Sequence, residues 1–200
     1  MTLRIGLTGG IGSGKTAASD YLAGKGIEVV DSDLIAREIV QPEQPAWLAI
    51  REHFGAEAIL ESGELNRPWL RKKVFESPEE KTWLEQQTHP RIRALTITRL
   101  EQAQSRYVIL ASPLLFESSQ HQLVDRVLAI DVPEELQILR ASQRDQNPAD
   151  QIRNIIRAQI PRTERLDKAD DVADNSGTLS ELHTQLDRFH TRYLSLASAT

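Results

Sequence analysis

Arg4-Ile5-Gly6-Leu7-Thr8-Gly9-Gly10-Ile11-Gly12-Ser13-Gly14-Lys15-Thr16 is the stretch from which the rest of the chain can be read. Gly9 through Thr16 fits G-x-x-x-x-G-K-[ST], the phosphate-binding loop. The short apolar run Leu3–Leu7 before it reads as a buried strand. The pattern after it reads as a helix, with Ala18, Tyr21, Leu22 and Lys25 on one side and Gly24 and Gly26 closing it. Backbone N–H groups can wrap phosphate oxygens only where side chains leave room, and Gly9, Gly10, Gly12 and Gly14 supply that room. The helix start adds free amides and the positive end of its dipole. Lys15 then places a cation on the β- and γ-phosphates, and Thr16 offers a hydroxyl to Mg²⁺.

Composition narrows the class. The chain has 200 residues, enough for one α/β domain with an inserted lobe. Its 24 basic and 29 acidic side chains give a net charge of -5, which argues against general affinity for nucleic acid or an anionic membrane. There is no cysteine, hence no disulfide framework and no thiolate metal site. No apolar run approaches the ~18 residues of a membrane span, and the N-terminus runs into the first strand without a signal-peptide layout. The expectation is a soluble cytoplasmic protein.

The second strand is Ile27–Val30, ending at Asp31-Ser32-Asp33. Ligands of an open parallel sheet sit beyond the carboxyl ends of its strands, so both aspartates are site candidates. Two residues apart on an extended chain, they point the same way. Asp31 serves equally well as the cap of a helix over Leu34–Val40, whereas Asp33 suits the carboxylate a kinase places near its acceptor hydroxyl. From Pro42 to Arg106 apolar residues recur at helical spacing and suggest a helical insertion. Its cations, among them Arg67, Arg71, Arg91 and Arg93, form either a solvated face or a cradle for an anionic acceptor. Trp47, Trp69 and Trp83 read as core.

Tyr107–Ser112 and Arg126–Val132 are near-continuous apolar runs, as expected of parallel strands covered on both faces. Pro133, Glu134 and Glu135 suit the start of the next helix, which carries Arg140 and Arg144 four apart on one face. A basic tract through Arg153, Arg157, Arg162, Arg165 and Lys168 follows. It is either an exposed helix pair or a lid, and the need for cations beyond Lys15 favours a lid for Arg140 and Arg144. Asp171–Asn175 reads as a last strand ending near the nucleotide base. Thr178-x-x-Glu181 is a capping box that opens a final helix with Leu179, Leu182, Leu186, Phe189 and Tyr193 on its buried stripe.

Over essentially its whole length the chain resembles the dephospho-coenzyme A kinases. Beyond the loop, the stretches that carry the resemblance begin with Asp31-Ser32-Asp33, Ala36-Arg37 and Gly63-Glu64-Leu65-Asn66-Arg67. Further on come His89-Pro90-Arg91-Ile92-Arg93, Pro113-Leu114-Leu115-Phe116-Glu117 and Gln143-Arg144-Asp145, then Ala158-Gln159, Ala169-Asp170-Asp171 and Asn175-Ser176-Gly177. One departure is Ala111-Ser112, where many members have Asp-Ile; this removes a carboxylate from near the metal.

The resemblance implies ATP-dependent phosphorylation of the ribose 3′-hydroxyl of dephospho-CoA, the last step of coenzyme A synthesis. It implies a P-loop kinase fold, a five-stranded parallel sheet flanked by helices. The nucleotide core covers about residues 1–33 and 106–200, a helical acceptor-binding insertion about 34–105, and a lid about 143–168. ATP is then the co-substrate with Mg²⁺, and Gly10, Ile11, Gly12, Ser13, Gly14, Lys15, Thr16 and Ala17 bind the nucleotide together with Arg144 and Asn175. Asp33, Lys15 and Arg140 carry the transfer, Thr16 holds the metal, and Asp33, Arg67, His89, Arg91 and Arg93 serve the acceptor. A kinase of another nucleoside or nucleotide is the alternative. A P-loop GTPase needs Asn-Lys-x-Asp, which the chain lacks, and the acidic balance weighs against a nucleic-acid-dependent ATPase. The sequence leaves oligomeric state and ATP or GTP preference open.

Overall fold

The computed structural model describes residues 2–198. Five parallel strands form one sheet: β1 (Leu3–Gly9), β2 (Glu28–Asp31), β3 (Tyr107–Ala111), β4 (Arg126–Asp131) and β5 (Asp171–Asp174), in the order β2-β3-β1-β4-β5. The central place of β1 follows from its sequence. It is buried from Ile5 to Gly9 and pairs on both sides, Leu7 opposite Ala111 in β3 and opposite Leu128 in β4. Order reverses between β1 and β4, so the carboxyl end of β1 is the switch point where such sheets bind ligands.

The fold divides into two compact units, Met1–Asp31 with Arg99–Thr200, and Ser32–Thr98. The first unit holds the sheet. Against it pack α1 (Lys15–Ala23) and α9 (Leu179–Ser198), with Leu22, Leu182, Leu186 and Tyr193 joining Ile5, Leu7, Leu128 and Ile130 in one core. Burying each such side chain contributes roughly 1.5–3 kcal/mol. Leu179, expected on that stripe, is instead 55% exposed, because it opens the helix one turn before the sheet is reached. The capping box forms as read: Thr178 Oγ1 accepts from the Glu181 amide at 3.3 Å, and Glu181 Oε2 accepts from the Thr178 amide at 2.7 Å.

Edge strand β5 has only four residues and needs anchoring. Its first residue, Asp171, is buried and accepts hydrogen bonds from Arg126 Nε (3.2 Å), Arg192 Nη1 (2.6 Å) and Tyr193 Oη (2.9 Å). Three partners compensate a buried carboxylate that would otherwise be costly. The same unit carries α6 (Glu134–Asp145), α7 (Ala149–Ala158) and α8 (Arg162–Asp167).

The second unit is helical. It consists of α2 (Ser32–Glu38), α3 (Pro45–Phe54), α4 (Arg67–Glu76) and most of α5 (Pro78–Gln102), with a short antiparallel bridge, Ile59 to Leu65, between α3 and α4. Trp47 is 3% exposed and donates from Nε1 to the Gly63 carbonyl at 2.9 Å, which makes it core, while Trp69 and Trp83 are half-buried around Phe54. The last turn of α5 returns to the first unit, where Leu100 is buried.

Candidate active site

The phosphate loop leaves the end of β1 as a tight turn, with the Ser13 amide bonded to the Gly10 carbonyl at 3.0 Å. Gly12 and Gly14 have φ of 72° and 94°, the left-handed region that only glycine enters without penalty. Space is as restrictive as torsion: a Cβ on Gly12 would lie 2.6 Å from the Gln137 carbonyl oxygen, and one on Gly14 would collide with Asn175 Nδ2. Gly14 is the N-cap of α1 and provides no side-chain cap, so the first amides of the helix remain available to an anion. Lys15, half-buried in the first turn, has no carboxylate partner among the described residues. Thr16 is exposed beside it.

Residues distant in sequence wall the loop. Asn175, just past β5 and 7% exposed, donates from Nδ2 to the Ser13 carbonyl at 2.7 Å, and its amide donates to the Asp131 carbonyl at 2.8 Å. Its own carbonyl accepts from Arg140 Nη1 at 2.8 Å. Arg140 is thereby tied to the loop through one residue. Arg144, one turn further along α6, binds Asp145 in bidentate fashion at 2.7 and 2.8 Å, and its side chain is largely exposed. The expected pair on one helix face therefore has separate partners.

Three further neighbours of the loop were given no individual role by sequence reading. Gln159 Oε1 accepts from the Ile11 amide at 3.1 Å. Gln137, buried, donates to the Val132 carbonyl at 3.2 Å and leaves its Oε1 against Gly10. Arg165 is 4% exposed, and its Nη1 lies 3.2 Å from where a Gly10 Cβ would stand. Burial depresses the pKa of Arg165, opposed by the fields of Glu117 and Asp131. Its Nη2 donates to the Ile160 carbonyl at 3.0 Å, and its Nε has no hydrogen-bond partner among the described residues. Gln159 had one signal, its place in the Ala158-Gln159 pair; Arg165 was hidden in a run of basic residues. Arg162, from the same run, instead forms a bidentate pair with Asp131 at 2.8 and 2.6 Å.

At the end of β2 the structure corrects one expectation. The chain turns helical at Ser32, so Asp31 closes the strand and Asp33 lies in the first turn of α2. The two carboxylates do not share one extended face. Asp33 is exposed and favourably placed at the positive end of its helix. In the departing stretch, Ala111 and Ser112 are both buried, and the Ser112 amide bonds to the Leu7 carbonyl at 3.0 Å.

The acceptor candidates of the second unit are divided among surfaces. His89 and Arg93, four apart on α5, share one exposed side. Arg91 falls about 200° round the helix from His89. It is half-buried, donates from Nη1 to the Gln87 carbonyl at 2.5 Å, and lines a cleft with Ile39, Pro45 and Leu95. Arg67 lies in a different cleft, with Arg37 and Arg71.

A polar cleft of about 450 Å³ in the first unit is lined by Asp174, Glu181, Gln185 and Arg188. Hydrogen bonds from Ser176 and Thr178 hold the Asp174 and Glu181 carboxyls below their usual range. The two carboxylates oppose phosphate there, with only Arg188 in the lining to offset them. Among the described residues no three His, Asp or Glu side chains cluster as a metal cage.

The family model described as dephospho-CoA kinase matches residues 3–181. A dephospho-CoA kinase of Acinetobacter baylyi is 52% identical over 96% of this chain and 98% of its own. One of Idiomarina loihiensis is 47% identical over 100% of this chain and 98% of its own. Among solved structures, a Thermus thermophilus protein superposes with a TM-score of 0.84 at 30% identity, covering 96% of this chain and 97% of that one. With sequence and fold agreeing from the first strand into the last helix, the chain belongs to the dephospho-CoA kinase family.

Proposed function

We propose that this protein transfers the γ-phosphoryl group of ATP to the ribose 3′-hydroxyl of dephospho-CoA, the final step of coenzyme A synthesis. The observation that carries the reading is the extent of the family match. It runs over residues 3–181 and so includes the helical unit, not only the loop that all P-loop kinases share. As a kinase it takes ATP as co-substrate. No helix of the described residues is long and apolar enough to cross a membrane, and we assign the reaction to the cytoplasm.

The roles we assign combine local chemistry at the loop with what the family resemblance implies for the acceptor side. The amides of Gly12 to Thr16 and the start of α1 hold the phosphates, with Gly10, Ile11 and Ala17 completing the nucleotide contact. Lys15, with no carboxylate partner among the described residues, places its charge on the β- and γ-phosphates. Arg140, oriented by the Asn175 carbonyl, meets charge on the transferring group, and Arg144 adds to it on leaving Asp145. Asp33 aligns the acceptor hydroxyl and accepts its proton, while Arg67, His89, Arg91 and Arg93 serve acceptor binding.

The residues fit Mg²⁺. Thr16 offers one exposed hydroxyl in the first turn of α1, and this ion uses one or two protein oxygens together with substrate phosphates rather than a protein cage. When bound, it neutralises phosphate charge. The test is incubation with ATP, Mg²⁺ and dephospho-CoA, with mass spectrometry of the product. Gain of one phosphoryl group at the ribose is expected. Equal kcat/KM with adenosine would transfer the assignment to a nucleoside kinase, since adenosine lacks the arm whose remote contacts position the hydroxyl.

A further inference from the structure

An open cleft of about 600 Å³ lies wholly within the helical unit. Arg37 at the end of α2 and Val40 just after it contribute, as do Leu60 and Leu65 around the Ile59–Leu65 bridge and Arg67 and Arg71 in the first two turns of α4. Val40 and Leu65 are buried and form its floor, while the three arginines are exposed.

The start of α4 runs against ordinary helix electrostatics. It reads Arg67-Pro68-Trp69-Leu70-Arg71-Lys72-Lys73, with four cations in seven residues and no acidic residue in its first turn. Arg67 meets the positive end of the helix, and Arg67 and Arg71, like charges four apart, repel each other. The two lysines find local relief: Lys72 lies 3.9 Å from Glu76, and Lys73 sits 5.1 Å over the Trp69 ring. Among the described residues Arg37, Arg67 and Arg71 have no carboxylate within ion-pair distance, although Glu64 lines the same cleft. A sequence that breaks a local rule without internal compensation marks a place where something else supplies it. Three guanidinium groups with no carboxylate partner among the described residues, beside a helix N-terminus and above an apolar floor, match an anionic diphosphate that continues into an alkyl-amide arm.

We propose that this cleft is the acceptor's diphosphate subsite, with Arg37, Arg67 and Arg71 binding the phosphates and Val40 and Leu65 supporting the adjoining arm. The proposal rests on the dephospho-CoA reading above. It adds Arg37 and Arg71 to the acceptor residues and separates Arg67 from Arg91, which lines another cleft.

The test is steady-state kinetics on the full chain, wild type against Arg37→Ala, Arg71→Ala and Arg71→Lys, varying each substrate at saturation of the other. Each alanine variant raises KM for dephospho-CoA about tenfold, the low end for a charge-assisted contact at an exposed site, with kcat and KM for ATP within about threefold of wild type. Arg71→Lys recovers part of the loss. Inorganic pyrophosphate inhibits wild type competitively against dephospho-CoA, and less so in the alanine variants. Ligand-free melting temperatures of Arg71→Ala stay level or rise by about 1–2 °C, because repulsion is relieved. An unchanged KM for dephospho-CoA overturns the subsite. So does an equal rise in KM for ATP, which assigns the cleft to the nucleotide, and so does a fall in melting temperature beyond about 5 °C, which makes the arginines structural. Wild type that leaves dephospho-CoA unphosphorylated refutes the reaction itself and this subsite with it, a failure visible before any variant is compared.

Discussion

Replacing Gly14 with alanine tests the construction of the phosphate loop, and two costs can be worked out from its geometry. At φ 94° and ψ 21° an alanine is left-handed, which costs roughly 1–2 kcal/mol. Its Cβ also collides with Asn175 Nδ2, so the carboxamide must rotate away. That breaks the 2.7 Å bond to the Ser13 carbonyl and leaves a buried acceptor unsatisfied, for about 1–2 kcal/mol more. Gly14→Ala therefore loses about 2–4 kcal/mol, a fall in melting temperature of roughly 5–15 °C for a chain of this size. Asn175→Ala removes the same bond by itself and also clears the space. In that background Gly14→Ala should cost only the torsional strain, so the double-mutant cycle should show coupling of about 1–2 kcal/mol. Thermal melts of the four proteins measure it, and ATP titration should show weaker binding in Gly14→Ala. Strict additivity would mean that the two side-chain positions do not compete, and the account of the loop wall would be wrong.

Lys15→Ala should leave the melting temperature near wild type yet lower kcat at least ~10²-fold, the scale of a lost preorganised charge at the transferring group; near-normal turnover would remove Lys15 from the transfer. Asp33→Asn should keep ATP affinity and lower kcat at least ~10²-fold, with Asp31→Asn less damaging in the same assay; the reverse order would reassign the acceptor carboxylate. Stability should also respond to His190, which is half-buried, with Nδ1 2.9 Å from the Tyr107 hydroxyl. Burial and then the field of Lys25 depress its pKa below 6.5, opposed by Asp187, so the unfolded chain takes up the proton first. Its contribution is complete above about pH 6.5 and is lost as pH falls from there through the depressed folded value. Melts of wild type and His190→Gln between pH 7.5 and 5 should therefore diverge on the acid side, with wild type losing more of its stability, and parallel curves would contradict it.

What the sequence disclosed, and what it withheld, divides along the range of the interactions. β1, its loop and α1 were legible because their geometry is set by adjacent residues: glycines where φ is positive, a strand before, a helix after. β3 and β4 were legible from unbroken apolar runs, since both faces of the sheet are covered. The shared direction expected of Asp31 and Asp33 failed because the helix starts at Ser32, two residues before the expected Leu34. Arg140 and Arg144 share a helical face, yet the Asn175 carbonyl orients the first and Asp145 takes the second, and spacing along one helix carries neither fact. Gln159, Gln137 and Arg165 escaped because contact with the loop depends on where α6, α7 and α8 return to the sheet, not on their own neighbours.

The strand order has a consequence for synthesis. β1 is made before its two partners, which begin at Tyr107 and Arg126, and the Asn175 carboxamide that closes on Ser13 is 162 positions away. On a ribosome, the apolar segment Leu3–Leu7 must wait until Tyr107 and Arg126 have been made before either neighbour emerges, and the loop after it is walled only when β5 has been delivered. Long-range parallel pairing of this kind is slow to form and exposes unpaired edges meanwhile. Nascent chains stalled before residue 107 should therefore present β1 to proteases and chaperones. Nucleotide retention should first appear in chains stalled late enough for residue 175 to have left the exit tunnel.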